Sequence, residues 1–407
     1  MKHDLSLETA QQLILENIYE LPAERVSLLQ AVGRVLAEEI VAAQDLPSGP
    51  QSAVDGYALG DGTAQANTCF TLKGSLSPGN YHPMEISSGQ AAGVYTGADL
   101  PAGTRSVIMH EKVQRKNGKI QVLEDVQPGS NIKGAGEDYQ QGEGLMGIKT
   151  RLNAGHIALL AAYGYEELLV YQQPRVALCS LSKNVVSHKQ IPQPGQVRDS
   201  NLPFLSALIK QEGGSVVGQL WASELEPQIL INCLKHLAFQ TDLIILSGGT
   251  YAGHRSEAQE LLESAGARMI YWGTDIQPGS HNGLALYESE PVFALSGNPA
   301  ACAVGFNLFV APALRYLQGL PALPLQVRAR CTNSFNKAAR SHRLVRGRAQ
   351  LGTQGWQVTV LPGQKPSMLK SLLGCNALIS MPPGHSPLEK GSEVTVLLLS
   401  ADEGQYT

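Results

Sequence analysis

The sequence predicts a multidomain α/β protein with a doubly wound α/β domain at its centre, a β-rich domain before it and a small β-barrel after it. At 407 residues the chain is too long for one hydrophobic core, because single cores stop growing near roughly 250–300 residues. From Pro174 onward, apolar strand patterns alternate with helical patterns. This alternation is typical of a parallel sheet that is covered by helices on both faces.

The composition is that of an ordinary globular protein and argues against nucleic-acid binding. Hydrophobic residues make up 43% of the chain and charged residues 16%, which is a full share of core formers. The formal net charge is −4, whereas a nucleic-acid-binding protein normally carries enough positive charge to present a basic face. A local basic cluster, Arg340 to Arg348, alternates with apolar residues, so we interpret it as the exposed side of a strand.

The chain shows no pattern of a targeting segment or a membrane span. Its N-terminus is polar from the start and lacks the apolar stretch of a signal peptide. The longest apolar runs, such as IALLAAYG from Ile157, are too short to cross a bilayer. The six cysteines include no CxxC pair, and this spacing suits a reducing compartment. Cys179 and Cys302 lie in apolar runs, so we expect them to be small buried residues. We therefore expect a soluble, cytoplasmic protein that binds no membrane.

The first half of the chain combines helical segments with a β-rich region. Residues 6–20 carry apolar residues at helical spacing after Ser6, a typical helix N-cap. Residues 45–150 alternate short apolar runs with Gly, Pro, Ser and Asn clusters, as in a small β domain. Residues 153–164 return to a helical pattern.

The α/β region is predicted element by element, with right-handed crossovers between parallel strands. Its strands are expected at Arg175–Ser180, Ser215–Trp221, Asp242–Ser247, Ala267–Trp272 and Val292–Ser296. Its helices are expected near Leu202–Gln211, Pro227–Phe239, Glu257–Ser264 and Pro299–Leu317.

A linker marked by Pro321 and Pro324 precedes a third region of short strands. Gly and Pro separate these runs, which predicts a small β-barrel or sandwich. The expected strands are Leu325–Cys331, a run from Gln350 onward, Trp356–Leu361, Ala377–Met381 and Glu393–Leu399.

Two glycine loops at strand ends are the best candidates for a ligand site. Ser247–Thr250 reads SGGT, Ser296–Pro299 reads SGNP, and each loop joins the carboxyl end of a predicted strand to a helix. Single loops of this kind are mostly plain tight turns. Two in one sheet favour an anion site, because glycines let the backbone approach a ligand and helix N-terminal amides attract negative charge. We predict that both loops lie on one sheet edge. Neither matches a Walker loop or a GxGxxG fingerprint.

The β-rich region carries three polar clusters. They are SAVDGYAL from Ser52, YTGADLP from Tyr95 and GAGEDY from Gly134. On spacing alone, Asp55 and Asp138 are most simply turn residues that bond their own backbone.

In their order and spacing, these strings resemble the molybdopterin molybdenumtransferase family, which includes the MoeA proteins and the gephyrin E-domain. The resemblance runs from about residue 5 to about residue 400. Any one string is a weak signal, but their shared order makes the assignment specific. The strings that carry it are SAVDGYA, YTGA, GEDY, VALCS, RDSN, LSGG and SGNP.

The resemblance implies four domains and a homodimer. The active cleft is expected between the α/β domain of one subunit and the β-rich domain of the other. The domains expected from the resemblance are a discontinuous helical dimerisation domain (1–44 and 143–173), a β-rich domain (45–142), a molybdopterin-binding α/β domain (174–322) and a C-terminal β-barrel (323–407).

The resemblance also implies a reaction and its residues. The family takes adenylylated molybdopterin and molybdate, releases AMP and leaves molybdenum on the dithiolene, with a divalent metal such as Mg²⁺ assisting. Asp55, Thr96 and Asp138 match the catalytic positions of the β-rich domain, where carboxylates would hold metal or orient water. The positions that match the pterin- and phosphate-side loops are Ser247, Gly248, Gly249, Thr250, Gly297, Asn298 and Pro299.

The α/β region departs from the family pattern where the family carries acidic residues. The family commonly reads Ser-Thr-Gly-Asp-Glu after its first strand, but here Lys183 and Asn184 take the acidic positions. After the SGGT loop the usual aspartate is Ser256, preceded by His254 and Arg255. We therefore assign no metal ligands and expect weaker binding of a divalent cation than in the family.

Cationic and loop positions differ as well. Gln277 and Ser280 replace both lysines of the family's Lys-Pro-Gly-Lys string, and Ser296 replaces the proline that opens the last loop. Lys183 and Arg255 are candidates to bind the anionic pterin in place of those lysines. Plain surface drift explains these two residues equally well.

Two functions remain open at this point. The first is a molybdopterin molybdenumtransferase that acts on its own. The second is a catalytically impaired paralogue, which binds molybdopterin or pairs with an unaltered family member in a mixed dimer without inserting metal. Both are open because a preserved β-rich half-site accompanies an altered α/β half-site.

Overall fold

The structure is a computed structural model that describes residues 2–79, 82–251 and 256–399. The chain divides into two compact units. The first consists of Met1–Ala37, Arg151–Ile157 and Glu166–Thr407, and the second of Glu38–Thr150 and Ala158–Tyr165.

A seven-stranded sheet is the centre of the first unit. Its last four strands in the spatial order are mutually parallel, whereas Gly283–Tyr287 runs antiparallel to both neighbours. In spatial order the strands are Lys2–Leu5, Arg268–Thr274, Gly283–Tyr287, Glu290–Leu295, Leu243–Ser247, Arg175–Ser180 and Ser215–Trp221. All five strands predicted from the sequence are present, with ends within two residues of the expected positions.

Two strands of this sheet were not predicted. Lys2–Leu5 has a polar sequence and adds parallel to the edge strand Arg268–Thr274. Gly283–Tyr287 pairs with the strand that follows it, and only Glu288 and Ser289 separate the two. Glu288 adopts a φ of 55°. This pair is not one of the Asn-Gly or Asp-Gly turns that are typical of a tight hairpin, so no local pattern predicts this one.

Helices cover both faces of the sheet, as the doubly wound prediction requires. Alternate residues of each central strand face opposite sides: Val176 and Leu178 pack into one apolar cluster, Ala177 and Cys179 into the other. The first face is covered by helices Leu7–Leu15, Asn201–Gln211, Pro299–Gly305 and Ala311–Leu317, and the second by Pro227–Ala238 and Glu257–Ala265. Ser6 caps the first helix, since its Oγ accepts a hydrogen bond from the Thr9 amide.

The helical stretch Pro299–Leu317 contains a π-helical segment, Phe306–Val310. Pro312 has no N–H, so it cannot donate to the carbonyl of the fully buried Leu308 four residues earlier. The side chain of Gln11 supplies the missing donor, with its Nε2 at 3.0 Å from Leu308 O.

The stretch Pro299–Leu317 is long and apolar enough to cross a membrane, which corrects the expectation that apolar runs are too short. However, 89% of it is buried inside the protein, as in a core helix.

The second unit contains a six-stranded sheet and two smaller strand pairs. One pair joins Gln51–Ser52 to Ile132–Lys133, and the other joins Ile40–Val41 to Gly144–Met146. In spatial order the six strands are Ser106–Met109, Gly56–Leu59, Gln90–Val94, Cys69–Leu76, Lys119–Val122 and Val113–Lys116. The predicted β-rich region is therefore confirmed.

Within residues 1–44 and 143–173, the predicted helical domain, the chain forms a further helix and a further strand pair. The helix is Ala154–Ala162, as the sequence predicted for residues 153–164. The strand Glu167–Tyr171 pairs antiparallel with Ala23–Ser27, which ties the two chain segments together. A further short pair joins Val185–Val186 to Val197–Arg198.

The C-terminal region is a closed five-stranded barrel, so the barrel alternative is confirmed over the sandwich. Ile276–Gln277 adds to it as a sixth strand. Around the barrel the strands are His342–Gly352, Gly355–Val360, Gln326–Cys331, Glu393–Leu398 and Ala377–Met381.

Two details of the barrel prediction were wrong. The strand expected from Gln350 begins at His342, and it turns into the next strand after Gly352. The basic cluster is also not wholly exposed. Arg348 faces solvent, but Arg346 is 1% exposed and donates from Nε to Ser371 Oγ at 2.7 Å. Val345 and Ala349 pack into the barrel core, and neighbours on a strand alternate faces, so Arg346 and Arg348 both lie on the outer face. Arg346 is buried there because Ser371 and the carbonyl of Gly363 cover it.

We expect Gln11→Ala to lower the free energy of unfolding by about 1 to 3 kcal/mol, because it removes the side-chain hydrogen bond to the buried Leu308 carbonyl. The matched control is Gln12→Ala on the same helix, where an exposed Gln12 donates to Glu16. That change should stay within about 0.5 kcal/mol. Urea denaturation measures both, and equal effects of the two substitutions would contradict this role of Gln11.

Candidate functional site

The two glycine loops lie on one edge of the sheet and touch each other. Their strands are parallel neighbours, with Ser247 in register with Leu295, so both loops leave the same edge. A Cβ placed on Gly297 would lie 3.2 Å from the Cα of Gly248. Gly248 and Gly249 have φ values of 89° and 68°, which side chains rarely tolerate. The predicted placement is confirmed, and only glycine allows so close an approach.

A residue that was not predicted, Asn201 of the RDSN string, joins the two loops. Its Nδ2 donates to Ser247 Oγ and to the carbonyl of Gly297, both at 2.9 Å. The side chain is 7% exposed. In the sequence, RDSN contributes only to the family resemblance, because nothing there shows which loops an asparagine amide reaches.

Asp199, from the same string, fixes the start of the helix that carries Asn201. Its Oδ1 accepts hydrogen bonds from the amides of Asn201 at 2.8 Å and Leu202 at 3.0 Å. Its Oδ2 accepts from Trp221 Nε1 at 3.0 Å. The carboxylate is 4% exposed. Asp199 therefore anchors one end of helix Asn201–Gln211 at the loop edge.

The cysteines beneath this edge are buried thiols rather than nucleophiles. Burial raises the pKa of Cys302, which lies beside Ser247, to about 12, and that of Cys179 to about 12 as well. A thiol with so high a pKa carries almost no thiolate at neutral pH. The sequence interpretation of both residues as small core residues is confirmed.

The segment in place of the family's Lys-Pro-Gly-Lys packs against the helix that begins at Pro299. A Cβ on Gly279 would lie 3.2 Å from the carbonyl of Ala301. Gln277 Oε1 accepts a hydrogen bond from Arg343 Nη2 at 2.7 Å. Arg343 of the barrel thus places its guanidinium beside Gln277, where the sequence indicated only the loss of the family's lysine. The basic cluster was visible in the sequence, but its partner was not.

The altered residues of the α/β region fall into two groups. Lys183 and Asn184 are exposed in the turn after strand Arg175–Ser180. Ser256 is 1% exposed and caps helix Glu257–Ala265, with its Oγ accepting from the Gln259 amide at 3.3 Å. Serine and aspartate are comparable N-caps, so this substitution preserves the local fold. The candidate Arg255 and its neighbour His254 lie outside the described residues.

In the second unit, Asp55 and Thr96 form a direct contact. Asp55 Oδ1 accepts hydrogen bonds from the Thr96 amide at 2.7 Å and from the Thr96 hydroxyl at 2.8 Å. These bonds, first the amide and then the hydroxyl, lower the pKa of Asp55, and the nearby His110 adds a smaller effect in the same direction. The simple interpretation of Asp55 as a turn residue bonded to its own backbone is therefore wrong.

The three polar clusters of this unit are neighbours through Ser52. Its backbone bonds to Ala98 and Gly97 of the second cluster, and it pairs with Ile132 of the strand just before the third. In the third cluster, Asp138 forms an ion pair with Lys133 at 2.6 Å, and about half of its side chain is exposed. Asp138 too is bonded to a side chain rather than to its own turn.

Among residues 2–79, 82–251 and 256–399, no group of three or more His, Cys, Asp or Glu side chains is placed to hold a metal ion. The candidate carboxylates Asp55 and Asp138 instead have a threonine and a lysine as partners. What the arrangement offers chemically is therefore an ionised carboxylate at Asp55 and a loop edge built from glycines.

We expect Thr96→Val to raise the pKa of Asp55, because it removes a hydrogen bond that favours the ionised carboxylate and leaves the amide bond in place. Thr96→Ser keeps the hydroxyl and should leave the pKa near its original value. Thr104→Val removes a hydroxyl from the same unit without touching Asp55 and is the second control. NMR titration of the Asp55 carboxyl carbon measures the shift, and a pKa that does not respond to Thr96→Val would contradict the contact.

The sequence matches three family profiles in succession. They are the MoeA N-terminal region (domain I and II) over residues 5–164, a probable molybdopterin binding domain over residues 177–316, and the MoeA C-terminal region (domain IV) over residues 328–399. The loops and Asn201 fall within the second of these segments, and Asp55, Thr96 and Asp138 fall within the first.

Relatives and solved structures extend over almost the whole chain. A molybdopterin molybdenumtransferase of Staphylococcus epidermidis is 30% identical over 407 residues, covering 98% of this chain and 96% of that protein. Its counterpart from Staphylococcus aureus is 27% identical and covers 99% and 98%. The structure of a molybdopterin biosynthesis MoeA protein from Pyrococcus horikoshii superposes with a TM-score of 0.78 at 28% identity, covering 97% of this chain and 100% of that one. The chain belongs to the molybdopterin molybdenumtransferase family.

Proposed function

We propose that this chain is a molybdenumtransferase enzyme of molybdenum-cofactor biosynthesis, with molybdopterin as its substrate. The observation that carries the proposal is the meeting of the SGGT and SGNP loops at one sheet edge. Ligands of open α/β sheets bind at the carboxyl ends of strands, where glycines let the backbone approach them. The family assignment supports molybdopterin as that ligand.

The finer chemistry follows the family resemblance. The substrate would be adenylylated molybdopterin, the second substrate molybdate, and the released product AMP. The glycine loops would bind the pterin and its phosphate through their backbone. Asp55, whose carboxylate accepts two hydrogen bonds from Thr96, would orient water or a cation at the bond that releases AMP. Lys183, exposed near the loops, supplies positive charge that suits an anionic substrate.

We further propose that the chain works in the cytoplasm as a homodimer. The support is the resemblance to a family whose active cleft combines the α/β domain of one subunit with the β-rich domain of another. Light scattering of the purified protein measures the oligomeric state. A monomer at enzymatic concentrations that still releases AMP would contradict the dimer.

A second candidate function is favoured by the altered acidic positions. Lys183 and Asn184 stand where the family carries acidic residues, so the chain could bind molybdopterin and act only in a mixed dimer with an unaltered family member. In that case co-expression would produce an active mixed dimer, and Asp55→Asn in this chain would lower its activity. An ordinary rate of AMP release by the homodimer alone would contradict this candidate.

Magnesium should bind weakly to the free protein. Lys183 and Asn184 remove carboxylates, and the positive charge of Lys183 repels a cation. Replacing both residues, Lys183→Asp with Asn184→Glu, should strengthen Mg²⁺ binding as measured by calorimetry. Lys189→Asp, in the exposed segment that follows, is the control for net charge. Tight, stoichiometric Mg²⁺ binding to the unaltered protein would contradict this expectation.

The direct test of the proposed function follows AMP release from adenylylated molybdopterin and molybdate, with and without Mg²⁺. We expect release by the unaltered protein and a loss of about 100-fold or more in kcat for Asp55→Asn, which keeps the shape but removes the charge. Asp99→Asn, an exposed aspartate of the same unit, is the matched control. Release at equal rates by Asp55→Asn would exclude Asp55 from the reaction, and no release by the unaltered protein would contradict activity of the chain alone.

A further inference from the structure

Asn201 combines three properties that are unusual in one side chain. It is 7% exposed, it spends both of its amide N–H groups on the two glycine loops, and its Oδ1 is buried with no hydrogen-bond partner in the described structure. Buried acceptors are almost always satisfied, and one that is not costs stability. Fold stability alone therefore does not explain an asparagine with a buried, unpaired oxygen at this position.

The orientation of the amide is fixed by its surroundings. The carbonyl of Gly297 is an acceptor only, so the amide must point Nδ2 toward it. The second N–H then reaches Ser247 Oγ. A flipped amide would place Oδ1 against the Gly297 carbonyl and lose that bond. The orphaned Oδ1 is thus the consequence of using both donors on the loops.

The amide is attached to a rigid support. Asn201 is the first residue of helix Asn201–Gln211, and Asp199 bonds the backbone amides of Asn201 and Leu202. Leu205 and Ile209 of the same helix are fully buried in the core. A small change of the loops relative to this helix would therefore break one of the two bonds.

We propose that Asn201 is a positioning residue that sets the spacing between the SGGT and SGNP loops and thereby the affinity for the pterin substrate. It acts through Ser247 and Gly297 rather than by touching the reacting atoms. As a specificity element it favours a ligand whose anionic and pterin parts fit the one loop spacing that the amide allows. The last point rests on the proposed function, whereas the loop spacing itself does not.

The first measurement needs no ligand. Amide hydrogen exchange of the free protein, read by mass spectrometry in peptides covering residues 243–251 and 292–299, should become faster in both loops together for Asn201→Ala. Asn201→Asp keeps the shape but replaces the donor with an acceptor, so it should act in the same direction. Asn307→Ala is the matched control: it removes a half-buried amide whose Nδ2 bonds Ala303 inside one helical stretch. Unchanged exchange in either loop, or the same change with Asn307→Ala, would overturn the proposal.

The second measurement is binding of molybdopterin, followed by its fluorescence. Asn201→Ala and Asn201→Asp should raise the Kd about tenfold or more, while Asn307→Ala binds as the unaltered protein does. Equal affinities of the Asn201 and Asn307 variants would overturn the link to the substrate. If the unaltered protein binds no molybdopterin, the proposed function fails, and the exchange data alone decide whether Asn201 sets the loop spacing.

Discussion

The contact between two glycine backbones at one sheet edge is the constraint on which the rest of the α/β domain depends. Gly248 and Gly297 approach so closely that a single added methyl group at Gly297 would meet the Cα of Gly248 at 3.2 Å. The contact requires adjacent parallel strands that end in register, as Ser247 and Leu295 do. It also requires a helix start that can reach both loops, which Asp199 and Asn201 provide. The ligand site that we propose at this edge thus depends on backbone geometry more than on charged side chains.

The second unit presents the opposite kind of site. Its candidate groups are charged side chains with polar partners. Two donors from Thr96 lower the pKa of Asp55, and Asp138 forms an ion pair with Lys133. Because the α/β loops depend on backbone geometry more than on charge, acidic positions could change in that domain without disturbing its loops. Ser256, for example, still caps its helix where an aspartate would also do so.

Much of the α/β fold could be predicted from local pattern, whereas most side-chain partners could not. Arg175–Ser180 is an apolar run with clear ends, and the pattern located this strand to the residue. Gly283–Tyr287 was missed because its hairpin turn uses Glu288 and Ser289, which is not one of the Asn-Gly or Asp-Gly pairs typical of tight hairpins. Arg346 was misjudged because a later segment, which includes Gly363 and Ser371, covers the outer face of its strand. Asn201 and Asp55 bond residues more than forty positions away, and such pairings depend on the tertiary fold alone.

A crystal structure with bound molybdopterin would show whether the glycine loops form the substrate site. We expect the pterin and its phosphate to lie against the SGGT and SGNP loops, with both hydrogen bonds of Asn201 to Ser247 and Gly297 retained. A pterin bound elsewhere in the protein, with these loops unoccupied, would contradict it.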